Sequence, residues 1–134
     1  MDSSEYKRLI KKQRKRFEGG MRKDIGIYVR SRWEANIARY LNFLVKNGNI
    51  TKWEYEPDTF KFPVKRGSVF YTPDFKIWEK DKIYYYEVKG YMDASSRTKL
   101  KRMSKYYPDI KIIVVDKKAY KQILGNKGLI EGWE

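Results

Sequence analysis

A chain of 134 residues in which 31 Lys and Arg face 17 Asp and Glu, for a net charge of +14, has the size of one domain and the long-range field of a protein that meets a polyanion, nucleic acid first among them. It holds no Cys, which excludes disulfides, zinc–thiolate sites and thiol nucleophiles, and no His, which excludes Ser-His-Asp chemistry and histidine-based metal sites. Any catalysis therefore falls to carboxylates, Lys, Tyr or water, and an all-oxygen ligand set favours a hard ion such as Mg²⁺ or Mn²⁺.

With 12 Tyr, 6 Phe and 4 Trp the composition is that of a folded chain rather than a disordered one. No apolar run approaches the roughly 20 residues of a membrane span, and the basic beginning lacks the apolar stretch of a signal peptide. The expectation is a soluble, intracellular, cytoplasmic protein.

Tyr6, Leu9, Ile10, Gln13 and Phe17 recur at helical spacing, which predicts an amphipathic helix over about 4–18 ended by Gly19-Gly20. Lys11, Lys12, Arg14, Lys15 and Arg16 make residues 1–27 a basic arm, either a solvated helix or one lying along a phosphate backbone. Residues 28–134 read as one domain. Its first helix carries Trp33, Ile37, Tyr40, Leu41 and Leu44 on one stripe, with Ser31 as cap and Asn47-Gly48 as stop. Glu34 sits about 100° round from Trp33, at the edge of that stripe, where a carboxylate can look into a cleft.

"ITKWEYEP" alternates, placing Trp53 and Tyr55 on one face and Glu54 and Glu56 on the other. "TFKFPV", "KRGS" and "VFYTPDFKIW" predict a hairpin with Lys65 and Arg66 at its tip, within reach of a groove. "IYYYEVKG" follows a short turn, so residues 69–78 and 82–89 should pair antiparallel. Alternation puts Tyr71, Pro73, Phe75 and Ile77 on one face and Thr72, Asp74, Lys76 and Trp78 on the other. Glu87 shares a face with Tyr85 and Lys89, opposite Tyr84, Tyr86 and Val88. Tyr84 and Tyr86 are expected to pack, and Tyr85 to reach a sugar or phosphate.

A helix over about 95–106, capped by Asp93 or Ser95, turns Leu100, Met103 and Tyr107 inward and carries Arg97, Lys99, Lys101, Arg102 and Lys105, all candidates for DNA-backbone contacts. "IKIIVVD" predicts a strand buried on both faces. "KKAYKQIL" predicts a last short helix. Leu129, Ile130 and Trp133 remain to pack on the domain or on a second subunit. The order predicts an α/β domain with a mixed sheet and helices on its faces.

If the hairpin register brings Asp74 beside Glu87, two carboxylates and Lys89 converge on one patch. Facing carboxylates repel by up to about 1 kcal/mol in a sheet. A divalent cation between them turns that cost into a binding site suited to phosphodiester hydrolysis. Lys89 can then orient or deprotonate water, or stabilise developing charge. The plain alternative is a surface hairpin with one carboxylate–lysine pair.

The pattern Pro73-Asp74 … Glu87-Val88-Lys89, with twelve residues between the acids, resembles the PD-(D/E)XK nuclease superfamily. "SRWEANIARYLNFL", "WEYEP", "YTPDF", "YYEVKGYMD" and "KLKRM" look like small phage and mobile-element endonucleases and Holliday junction resolvase-like members. The resemblance implies a restriction-endonuclease-like α-β-β-β-α-β core over residues 28–116. It further implies Mg²⁺ or Mn²⁺ on Asp74 and Glu87, with the Val88 carbonyl and Glu34 completing the shell, and Lys89 serving the water. The implied activity is a metal-dependent DNA endonuclease acting on double-stranded or branched DNA. A monomer would nick, and a homodimer would cut both strands or a junction. The competing readings are a non-catalytic nucleic-acid-binding protein of the same fold and an RNA-binding protein of ribosomal type, which leaves the clustered acids unexplained.

Overall fold

The computed structural model describes residues 2–134, with the side chains of residues 10–17 outside the description. Helix α1 (Ser3–Glu18) starts at Asp2, whose carboxylate accepts from the Glu5 N–H at 2.8 Å, and stops at Gly19. Lys11, Lys12, Arg14, Lys15 and Arg16 therefore fall outside the described side chains. A hairpin that the sequence did not suggest comes next, β1 (Gly20–Arg22) with β2 (Ile27–Val29). It spans the expected boundary between residues 27 and 28.

Helix α2 (Arg32–Lys46) opens on Ser31, whose hydroxyl oxygen accepts from the Glu34 N–H at 3.1 Å. Ile37, Ala38 and Leu41 bury its stripe, and Gly48 leaves the helix at φ 75°. Strand β3 (Lys52–Tyr55) follows, then β4 (Phe60–Lys61), β5 (Phe70–Tyr71), β6 (Phe75–Glu79) and β7 (Lys82–Val88). Helix α3 (Ala94–Tyr106) is capped by the Asp93 carboxylate, which accepts from Ser96 N–H at 2.7 Å. Strand β8 (Ile112–Val115) and helix α4 (Lys117–Leu124) complete the regular elements, before a single 3₁₀ turn at Lys127–Leu129.

The central sheet runs β3-β6-β7-β8, antiparallel except for the β7–β8 pair, which is parallel because α3 carries the chain across. The architecture is thus α/β with a mixed sheet and four helices. On one face, α2 and α4 pack Ile37, Leu41 and Tyr120 on Phe75, Ile77, Val88 and Val115. On the other, Met103 of α3 is buried with Phe62 and Tyr71, the inner residues of the β4–β5 ribbon. Among the described residues, no helix is long and apolar enough to cross a membrane.

Three expectations need correction. Residues 71–78 are not one strand: Tyr71 belongs to the separate ribbon, paired with Phe60, and β6 begins only at Phe75. Pro73, fully buried between them, has no N–H to give a ladder. The break turns Tyr71 away from Phe75 and into the second core. Strand β8 is an edge strand with Ile112, Ile113 and Val114 only half-buried, because the crossover delivers it to the free edge of β7 and, among the described residues, no strand pairs beyond it. Tyr85 is buried rather than available to a substrate; its hydroxyl donates to Asp58, and the Lys76 ammonium completes that group at 2.8 Å from the same carboxylate.

Two polar residues of α2 are also buried without warning from the helical pattern. Arg39 donates to Asp24 at 2.7 Å and to Glu134 at 2.8 Å, and Asn36 donates to the Tyr120 hydroxyl at 2.9 Å and to the Glu134 carbonyl at 3.0 Å. These bonds close the β1–β2 hairpin and the segment after α4 onto α2. Of the residues offered for packing there, Ile130 is buried, Trp133 lies against Tyr120 and Leu129 is exposed.

Ile77, at the centre of the first core, tests this arrangement. Ile77→Ala should lower the unfolding free energy by about 2–5 kcal/mol with an unchanged denaturant slope in urea titration; a loss well under 1 kcal/mol would show that β6 is not central to the core.

Candidate metal centre

Where the sheet ends beyond β7, a cavity of about 540 Å³ is lined by Glu34, Glu56, Asp74, Glu87, Lys89 and Lys99, with Arg30 at its mouth. Each side chain arrives on a different piece of structure. The β6–β7 register ends with Phe75 paired with Tyr86; Asp74 stands just before β6 and Glu87 just after Tyr86 in β7, and both line the cavity. Glu34 comes from the first turn of α2 and Lys99 from α3, so both layers contribute. Gly90 follows β7 beside Trp33, where a Cβ would make van der Waals contact with the indole ring at 3.4 Å.

The acids are held by donors. Asp74 accepts from the Val88 N–H at 2.7 Å, Glu87 from the Tyr71 hydroxyl at 2.6 Å, and Glu34 from the Ser31 and Tyr55 hydroxyls at 3.0 and 3.1 Å. One carboxylate oxygen from each of Glu34, Glu56 and Asp74 lies within 4.8 Å of the other two. Glu56 was not among the residues read from the sequence. Strand alternation placed it with Glu54 on the face opposite Trp53 and Tyr55, but it lies just past β3 at a φ of 48° and lines the cavity, and its N–H donates to the Asp74 carbonyl at 2.8 Å. A left-handed non-glycine residue is uncommon, and nothing in the local pattern announces one here.

The metal-free electrostatics are unfavourable. Burial, then the charges of Glu87 and Glu34, push the Asp74 carboxyl well above the usual carboxylate range, while the Val88 N–H partly opposes this. Glu87 is also raised, chiefly by burial, against the Tyr71 hydrogen bond and the Lys89 charge. Lys89 makes no ion pair within 4 Å among the described residues, so its ammonium is free to meet a water or a phosphate. Converging carboxylates, of which Asp74 and Glu87 have raised proton affinity, fit a hard divalent cation. Among the described residues, Glu34, Glu56 and Asp74 form the group close enough to hold one; Glu87 and Val88 line the same cavity outside that group.

The expected phosphate contacts separate into groups. Arg97, Lys101 and Lys105 are exposed along α3, Lys65 and Arg66 are exposed at the ribbon tip, and Lys99 faces the cavity. Arg102 is turned inward, donating to the Ser68 carbonyl at 2.6 Å. Arg30, not anticipated, stands at the mouth with a mostly exposed guanidinium 3.2 Å from Glu56.

Compared with known proteins, the chain matches no family model and no curated protein.

A raised carboxyl binds a proton in the folded state that the unfolded chain has released. The contribution of Asp74 to the stability of the metal-free protein should therefore fall as pH rises from about 4 towards about 9, the interval between its ordinary and its raised value. Asp74→Asn removes the charge and keeps an acceptor for Val88 N–H. In the presence of a chelator it should raise Tm by several degrees at pH 8 and by less at pH 5. Parallel melting curves for parent and variant at both pH values would show that Asp74 titrates as an ordinary carboxylate.

Proposed function

We propose that this chain is a Mg²⁺- or Mn²⁺-dependent DNA endonuclease of the PD-(D/E)XK kind, with a restriction-endonuclease-like core. The observation that carries the reading is that Asp74, just before β6, and Glu87, in β7, line one cavity with Glu34 and with Lys89, which makes no ion pair among the described residues. The succession α2, β3, β6, β7, α3, β8 supports the α-β-β-β-α-β order, with the β4–β5 ribbon inserted into it. The charge of +14 supplies the attraction for DNA.

When bound, the ion would polarise the phosphoryl oxygen and lower the pKa of a water. Asp74, Glu87 and Glu34 are ready for it, because the Val88 N–H and the Tyr71, Tyr55 and Ser31 hydroxyls hold their carboxylates in fixed orientations. Lys89 orients the attacking water or meets the charge that develops on phosphate. Arg30 and Lys99 neutralise flanking phosphates. One chain carries one such centre and cuts one strand, so nicking is the monomer's product and double-strand or junction cleavage that of a two-fold dimer.

Supercoiled plasmid incubated with the protein and Mg²⁺ should become open circle or linear, and stay intact with a chelator. Asp74→Ala, Glu87→Ala and Lys89→Ala should each lower the cleavage rate by about 10²-fold or more while DNA binding survives. Variants that cut like the parent would remove these residues from the centre. Glu56→Gln, which keeps shape and loses charge, should raise the Mg²⁺ concentration for half-maximal cleavage by about 10-fold; an unchanged metal titration would leave Glu56 a bystander.

A further inference from the structure

The β4–β5 ribbon stands apart from the central sheet, and two-stranded ribbons are marginal on their own. This one is held from several sides. Phe62 and Tyr71 are buried with Met103, the Tyr107 hydroxyl donates to the Lys61 carbonyl at 2.7 Å, and Arg102 donates to the Ser68 carbonyl at 2.6 Å. Gly67 lies at φ 75°, where a Cβ would come within 3.3 Å of the same guanidinium, so the tip is moulded over Arg102. At that tip Lys65 and Arg66 are exposed and form no ion pair among the described residues. A stiff support beneath two unpaired cations suits a polyanion met at a fixed register rather than a diffuse one. The ribbon also leads directly to the carboxylates: Tyr71 and Thr72 line the cavity, and α3 contributes Ser96 and Lys99 to it while holding the tip through Arg102.

We propose that the β4–β5 ribbon enters the major groove of double-stranded DNA beside the cavity, with Lys65 and Arg66 on its phosphates and Arg102 as the residue that positions the tip. The major groove admits a two-stranded ribbon, whereas a single strand has no groove to offer. The substrate is thereby narrowed to DNA that is double-stranded on the ribbon side of the cut. The link to a cut phosphate rests on the endonuclease reading; the binding mode does not.

The test is fluorescence anisotropy in a chelator, with a short labelled duplex and one of its strands alone, over a series of salt concentrations. Lys65→Ala with Arg66→Ala should weaken duplex binding about tenfold or more near 0.15 M salt and lower the slope of log K against log salt by about 1.8, with single-strand affinity unchanged. Arg102→Ala should weaken duplex binding while keeping the slope, should add nothing in the Lys65→Ala, Arg66→Ala background, and should be largely restored by Arg102→Lys, which retains a donor for Ser68. Unchanged duplex affinity, or equal losses on duplex and single strand, would overturn the ribbon's role. An additive loss with a further drop in slope would overturn the positioning role of Arg102 and make it a phosphate contact. Since the chelator suppresses cleavage, these results stand apart from the plasmid assay: intact plasmid with Mg²⁺ would sink the endonuclease alone.

Discussion

Carboxylates gathered in one cavity where water is scarce set the terms for the rest of this molecule. The end of the β6–β7 pairing brings Asp74 and Glu87 into one cavity, and Glu34 from α2 and Glu56 from the end of β3 gather on Asp74 with charge of the same sign. Left alone, such a group raises its own proton affinity and subtracts from stability. What keeps it in place is a donor for each acid, drawn from the strand backbone, the ribbon and the cap of α2. The cost is concentrated at one end of the sheet, and the two apolar cores on its faces offset it.

The layers divide the work. The α2 and α4 layer, with Phe75, Ile77 and Val88, gives the sheet a dry face and brings Glu34 to its end. The α3 and ribbon layer gives the second core and brings Tyr71 and Lys99 to the same end. Neither layer completes the cavity. Ion pairs elsewhere serve cohesion rather than chemistry: Arg39 ties Asp24 and Glu134 to α2, and Asp58, Lys76 and Tyr85 satisfy one another on the ribbon side of the sheet, where Tyr85 packs on Phe60.

Legibility followed the range of the interactions. The spacing of Trp33, Ile37, Leu41 and Leu44 made α2 readable, and Ser31 marked its start, because both depend on neighbours within a turn or two. The pairing of β6 with β7 was readable because only Lys80 and Asp81 separate the paired Glu79 and Lys82. The β1–β2 hairpin was missed: three-residue strands carry too little alternation to register. Tyr71 was assigned to the wrong strand because Pro73 can end one strand or sit at the edge of another, and alternation does not distinguish them.

Taken by itself, the sequence determined the charge, the absence of histidine and cysteine chemistry, the principal helices and strands, and the placing of Asp74, Glu87 and Lys89 around one short hairpin; each of these is a property of composition or of contacts a few residues long. Tertiary structure alone decided that Glu56 joins Glu34 and Asp74, that Tyr71 holds Glu87, that Tyr85 is shut in with Asp58, and that Arg102 supports the ribbon. Those outcomes depend on one left-handed residue, on which sheet a strand joins, and on bonds between residues tens of positions apart. Periodicity reports the face of an element, whereas only packing fixes what that face meets.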